Sequence, residues 1–272
     1  NAFSSGGISN LADEAYTLTD TTLDASVLIS LDNNTDATVD ATSITSLTGS
    51  AANINTVLTA SGISNLGNEN VTFDDTALTT TVFNNLRGNT SGTINATNLA
   101  TLTGSASTMK TALEAASVTN MGGVNATLNS NHNLAQLKAI NNATTGTITL
   151  NAYDVALTDG TVADATQALA AGTLAAAYTG NVTITDTTDD AADLVALDAL
   201  VSAPGVIDAT SITSLTGSAA DMNTVLTAAG ISNLGNENVT FDDTSLTTTV
   251  FNNLRGNTSG TINATNLATL TG

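Results

Sequence analysis

Adjacent aspartate pairs are the residues of this chain whose type and spacing are best suited to chemistry. The pairs are Asp74 with Asp75, Asp189 with Asp190, and Asp242 with Asp243. Calcium takes about six to eight oxygen ligands, and clustered carboxylates with loop carbonyls can supply them. The pairs are therefore the candidate calcium ligands, although no EF-hand loop or Gly-Gly-x-Gly-x-Asp motif occurs. Helix N-capping beside a solvated acidic edge is the other interpretation.

The single histidine, His132, is the second residue that invites a chemical role. Catalysis would require a partner nucleophile or carboxylate together with an oxyanion site. Its segment, NSNHNLAQL, has no counterpart elsewhere in the chain, and we interpret His132 as a loop or helix-start residue. The chain has no cysteine, which excludes thiolate catalysis, disulfides and cysteine–metal sites. We predict no catalytic residues, no enzyme activity and no cofactor other than calcium.

The elements that carry these residues are repeated. Segments 40–104 and 208–272 are identical at 61 of 65 positions, and we call them the two copies of the long repeat. A shorter, more diverged 55-residue period, the short repeat, has units at about 8–62, 63–117, 118–173, 174–230 and, truncated, 231–272. A fixed period of this kind is typical of stacked repeat units. We predict one array over 1–272 that is a fragment of a longer protein.

Each unit of the short repeat has the pattern β-α-β-α. In the second unit, Val71-Thr72-Phe73 alternates apolar and polar residues, which predicts a short strand buried on one face. Leu78, Val82 and Leu86 then predict a helix that Asp75 caps. A second strand is predicted over 92–96 and a second helix from Ser105. The predicted fold class is α/β: a repeat solenoid of β-α half-coils, with short parallel strands on one side and helices on the other.

Composition restricts the partners. The chain has 24 acidic and four basic residues, for a net charge of −20. Nucleic-acid binding rests on clustered lysine and arginine, so it is not expected, and neither is contact with anionic membrane surfaces. No stretch is long and apolar enough to span a membrane, so membrane insertion is not expected either. The predicted outward face is a ladder of threonine, asparagine and aspartate.

The segment DATSITSLTGSAADMNTVLTAAGISNLGNENVTFDDTSLTTTVFNNL, at 208–254, resembles the tandem repeats of giant secreted surface proteins of marine cyanobacteria. The shared motifs are framework residues, among them Leu215, Gly217, Ser218 and Asp221. They specify architecture and carry no catalytic residues. The resemblance implies an extracellular location at the cell surface.

Two functions follow as expectations. The first is a structural segment of a cell-surface filament, stalk or coat, which associates with itself or belongs to a continuous polymer. The alternative is an adhesin or fibre module that recognises glycans or a surface partner through its polar repeated face, where linked weak sites gain from effective concentration.

Overall fold

The computed structural model describes residues 13–170 and 172–272. The start of the first predicted repeat, at 8–12, lies outside the described residues. Within them the chain is a mixed α/β protein in which short parallel strands alternate with helices, which confirms the α/β class. The solenoid stays a prediction. The helices are α1 (Ala25–Asp32), α2 (Ala51–Thr59), α3 (Thr80–Asn89), α4 (Ala106–Leu113), α5 (Leu134–Ala143), α6 (Val162–Ala168), α7 (Ala191–Asp198), α8 (Ala219–Thr227) and α9 (Thr248–Asn257).

The strands are two to four residues long. They are β1 (Tyr16–Thr17), β2 (Thr22–Asp24), β3 (Val39–Asp40), β4 (Ser46–Gly49), β5 (Ile63–Ser64), β6 (Asn70–Phe73), β7 (Ala77–Thr79), β8 (Ile94–Asn95), β9 (Thr101–Gly104), β10 (Val118–Thr119), β11 (Asn125–Leu128), β12 (Ile148–Thr149), β13 (Leu157–Gly160), β14 (Val182–Ile184), β15 (Thr188–Asp190), β16 (Ile207–Asp208), β17 (Ser214–Gly217), β18 (Ile231–Ser232), β19 (Asn238–Phe241), β20 (Ser245–Thr247), β21 (Ile262–Asn263) and β22 (Thr269–Thr271).

The chain divides into two compact units. Of the described residues, the first comprises 13–127 with Ala143–Gly146, and the second comprises Leu128–Asn142 with 147–170 and 172–272. This division does not test the single array predicted over 1–272 or the boundaries of the short repeat, which stay predictions.

Parallel pairing in the first compact unit joins strands whose paired residues lie about 24 residues apart in the sequence, and we call this separation one turn of the chain. The longest sheet has the order β10-β8-β6-β4-β2, and its register pairs Thr22 with Ser46, Ser46 with Asn70, and Ile94 with Val118. A shorter sheet has the order β1-β3-β5. Paired strands therefore lie closer together in the sequence than half a unit of the short repeat.

The second compact unit repeats this arrangement. One sheet has the order β13-β14-β16-β18, another has β15-β17-β19-β21, and β20 pairs with β22. All of these pairs are parallel.

The alternating strand pattern places the core as predicted. Val71 and Phe73 of β6 are buried, whereas Thr72 is half-buried and Asp74 is exposed. Phe73 meets Phe83 of α3 edge to face, with ring centroids 6.2 Å apart. Such pairs add about 0.5–1.5 kcal/mol to the burial of the rings. The hydrophobic contact between strand and helix is what holds these threonine-rich helices, because their intrinsic propensity is low.

The predicted start of the helix after β6 is wrong. Leu78 lies in β7 and is extended, because Ala77–Thr79 pairs in parallel with Thr101–Thr103 of β9. The helix begins only at Thr80, and its cap is Thr79, whose hydroxyl accepts from the Val82 amide. Strand pairing between turns therefore overrides the i, i+4 spacing of Leu78 and Val82.

A glycine ends both strands of sequence Ser-Leu-Thr-Gly, β4 and β17. Gly49, the last residue of β4, has φ +108°, and a Cβ there would lie 2.9 Å from the Asp24 carboxylate. Asp24 is the N-cap of α1. Gly217 has φ +107° and lies against Asp190, the N-cap of α7, in the same way. Glycine at these two positions therefore serves both the left-handed backbone and the close approach of a neighbouring cap.

Candidate functional site

The aspartate pairs serve helix N-termini. An Asp75 carboxylate oxygen accepts from the Ala51 amide at 2.6 Å, and Ala51 is the first residue of α2. Asp243 does the same for Ala219, the first residue of α8, at 2.7 Å. Asp75 therefore caps a helix that precedes it by one turn, and the prediction that it caps the helix following it is wrong.

Asp190 is itself an N-cap, and its carboxylate accepts from the Ala192 amide at 2.9 Å at the start of α7. Burial raises the pKa of its neighbour Asp189 to about 6. A hydrogen bond from the Asp190 amide opposes this rise in pKa, and the nearby carboxylates of Asp186, Asp193 and Asp190 add to it. The Oδ2 atom of Asp189 is buried and has no hydrogen-bond partner.

The remaining members of the pairs, Asp74 and Asp242, are exposed. In residues 13–170 and 172–272, no group of three or more histidine, cysteine, aspartate or glutamate side chains could hold a metal ion. Hydrogen bonds to helix-start amides thus support the capping interpretation at three of the six aspartates. Calcium binding stays a prediction.

His132 precedes α5 and is buried, with 5 % of its surface exposed. Its Nε2 lies 3.4 Å from the hydroxyl of Tyr178, which in turn donates to the carbonyl of Val155. Because that hydroxyl proton is committed to Val155, the Tyr178 oxygen can only accept from His132, which places the imidazole proton on Nε2. Nδ1 is then a buried acceptor without a partner.

Desolvation lowers the pKa of His132 and raises that of Tyr178, with Asp154 adding to the latter. Both groups are therefore neutral at pH 7. His132 lies in the loop just before α5, which agrees with its interpretation as a loop or helix-start residue. The helix begins two residues later, and Asn133 and Gln136 bond reciprocally across its first turn. Sequence reasoning missed Tyr178 as the partner, because it lies more than one turn further along the chain.

Two surface grooves share one lining. The first groove has a volume of about 610 Å³ and is lined by Thr42, Ile44, Thr45, Asn65, Leu66, Gly67, Asn68 and Asn70. The second groove, of about 620 Å³, is lined by Thr210, Ile212, Thr213, Asn233, Leu234, Gly235, Asn236 and Asn238. Every residue of one is matched by an identical residue at the equivalent position of the other copy of the long repeat, and each groove lies within one compact unit.

One wall of the first groove is fixed by Asp40. Its Oδ1 accepts from the Thr42 amide at 3.0 Å, the Thr42 hydroxyl at 2.6 Å and the Asn65 side-chain amide at 2.8 Å. These bonds, that of the Thr42 hydroxyl first, lower the pKa of Asp40. Asn65 has φ +65°, a left-handed conformation that asparagine tolerates better than most residues.

The other wall is held from inside by a buried glutamate. Glu69 is 0 % exposed, and its Oε2 accepts from the amides of Gly67 and Asn68 at 2.7 and 3.1 Å. Gly67 has φ +130°. Glu237 repeats these bonds in the second groove at 2.7 and 3.1 Å. In both glutamates Oε1 is buried without a partner. The carboxylate therefore sets the loop shape, and the groove itself is lined by uncharged side chains.

Sequence reasoning did not find the grooves. The only signal was the exact recurrence of ISNLGNEN at 63–70 and 231–238, which holds asparagine and glycine where left-handed backbone occurs. None of the helices within the described residues is long and apolar enough to cross a membrane. Comparisons with protein-family models, characterised proteins and solved structures gave no match. The likeness to cyanobacterial surface repeats therefore stays an expectation.

Proposed function

We propose that this chain is a structural segment of an extracellular repeat protein, a solenoid whose stacked turns build a filament, stalk or coat on a bacterial cell surface. The observation that carries the proposal is the regular parallel register among strands β1 to β10, in which each strand pairs with one a single turn away. Each turn is bonded to its neighbours, as in repeat proteins whose stability is a sum over adjacent units.

Side chains reinforce the stacking between turns. Asn55 of α2 donates to the carbonyl of Val82 in α3 at 3.1 Å and accepts from Asn89 at 3.0 Å. In the second compact unit, Asn223 and Asn257 repeat this bridge at 2.8 Å. Side-chain amides that join neighbouring helices suit a protein that serves as an extended structural element. An acidic surface keeps such a chain soluble. Self-association, or membership of a continuous polymer, is part of the proposal.

Small-angle X-ray scattering tests the shape. We expect the maximum dimension of a chain extended by one further block, equivalent to 40–207, to grow in proportion to the added length. A compact particle whose maximum dimension does not change with the number of blocks would refute the solenoid and, with it, the filament.

The second candidate is an adhesin or fibre module that recognises a glycan or a surface partner. The duplicated polar grooves favour it, because two like sites on one chain can act together. The two functions are compatible, since a filament can carry binding sites along its length. Screening the full chain against immobilised glycans tests this candidate, and the absence of any hit would argue against it.

A further inference from the structure

We propose that the two grooves are binding sites for neutral saccharides. This inference rests on the second candidate function above and is independent of the filament. The observation behind it is that several side chains of each groove already make hydrogen bonds within the protein. Those bonds determine which donor and acceptor groups remain free to face a ligand.

Asparagine orientations in the grooves are set by their partners. The side-chain amide nitrogen of Asn65 donates to the Asp40 carboxylate, so its carbonyl oxygen is the atom left to accept from a ligand. Asn70 is turned the other way. Its Oδ1 accepts from the Thr93 amide at 2.9 Å, which leaves the NH₂ group as a donor.

The other polar groups complete a mixed set. The Thr45 hydroxyl donates to the Thr21 carbonyl at 3.2 Å, and its oxygen keeps acceptor capacity. Asn68 is exposed, and its side-chain amide remains available both to donate and to accept. Leu66 supplies apolar surface next to these groups.

The second groove has the same polarity. Asn233 donates to Asp208 at 2.8 Å, Asn238 accepts from the Thr261 amide at 2.9 Å, and Thr213 donates to the Thr187 carbonyl at 3.1 Å. The arrangement of donors and acceptors is thus reproduced group by group in the two copies.

Chemistry selects the ligand class. Each hydroxyl of a sugar both donates and accepts, so neighbouring hydroxyls match a surface where amide acceptors and donors lie side by side. The C–H face of a sugar ring suits the apolar surface of Leu66. An anionic ligand would meet no basic side chain in the lining and a net charge of −20 on the chain. The groove therefore favours neutral polysaccharides over acidic ones.

Affinity electrophoresis of the full chain is the test, with gels that contain dextran, galactomannan or mixed-linkage β-glucan, and with alginate as the acidic comparison. We expect retardation by at least one neutral polysaccharide and none by alginate. The double variant Asn68→Ala with Asn236→Ala removes one exposed amide from each groove. Its affinity should fall about tenfold, since each lost pair of hydrogen bonds weakens binding severalfold.

The matched control is Asn85→Ala with Asn253→Ala, which removes one exposed helix amide outside the grooves from each copy of the long repeat. It should leave retardation unchanged. Binding lost in this control but kept in the groove variant would overturn the assignment while leaving the adhesin function standing. Retardation by alginate alone would overturn the ligand class. No retardation by any of the three neutral polysaccharides would overturn the inference, whereas a glycan-array hit of another class would still support the adhesin function.

Discussion

Substitution of Asp75 by alanine isolates the contact that joins one turn of the chain to the helix of the turn before. It removes the carboxylate that accepts from the Ala51 amide at 2.6 Å. Ala51 is 0 % exposed, so water cannot readily replace the lost carboxylate. The adjacent Asp74 is exposed and carries the same charge, which makes Asp74→Ala a matched control.

The magnitude follows from two costs. A buried donor left without a partner costs about 1–3 kcal/mol. Loss of a negative charge beside a helix N-terminus adds about 0.3–1 kcal/mol. The Ser50 cap of α2 is kept, so the helix itself persists. We expect Asp75→Ala to lower the free energy of unfolding by about 1–4 kcal/mol, Asp75→Asn by less because it keeps an acceptor, and Asp74→Ala by under about 0.5 kcal/mol.

Urea unfolding followed by circular dichroism measures the total loss. Hydrogen exchange of the peptides that cover α2 locates it, because regions of a chain can open locally without the whole protein unfolding. Asp243→Ala against Asp242→Ala repeats the experiment at α8, where the distance to the Ala219 amide is 2.7 Å. Equal losses in both members of a pair, seen only when millimolar calcium is present, would refute the capping account and favour a calcium site.

Three further predictions concern single residues. Folding raises the pKa of Asp189 to about 6, so the folded chain holds a proton on this carboxyl that the unfolded chain has already released. The free energy of unfolding should therefore fall as the pH rises from about 4 to 6, and Asp189→Asn should flatten that fall in urea titrations. Burial lowers the pKa of His132, so stability should decline as pH drops below about 6.5, with NMR of the single imidazole reporting a titration midpoint below that value. Asn65→Ala should melt below Asn65→Gly, because both lose the bond to Asp40 but only alanine is strained at φ +65°, by about 1 kcal/mol.

Periodicity predicts only part of the strand pattern. Val71 and Phe73 are identifiable because strict alternation marks a strand buried on one face. Leu99 and Leu102 are spaced as on a helix, yet Leu102 is buried within β9. Short strands of this kind are stabilised by pairing with strands one turn before or after them in the sequence. A local residue pattern does not contain those pairing partners.

The groove was beyond sequence reasoning for a different reason. Asparagine and threonine are so frequent in this chain that their presence distinguishes no site. Glutamate is ordinarily a surface residue, whereas Glu69 is fully buried and bonded to the amides of its own loop. The equivalent position in the next unit of the short repeat is Val124, which is also buried. The same buried position holds glutamate in one unit and valine in the next. Its burial therefore depends on the surrounding structure and is not predictable from the residue type alone.

The mismatch between the short repeat and the strand register limits mispairing. Within the first compact unit, the ladder from β2 to β10 joins the segments TLD, SLTG, NVTF, IN and VT, no two of which are alike. Had the register matched the repeat, like strands would lie side by side, and slippage or exchange between them would cost little. Because each unit of the short repeat is more than twice as long as the separation of paired residues, each strand meets a neighbour of another sequence. Neighbouring strands within one ladder are therefore distinguished by sequence, although the pair SLTG and NVTF recurs in β17 and β19.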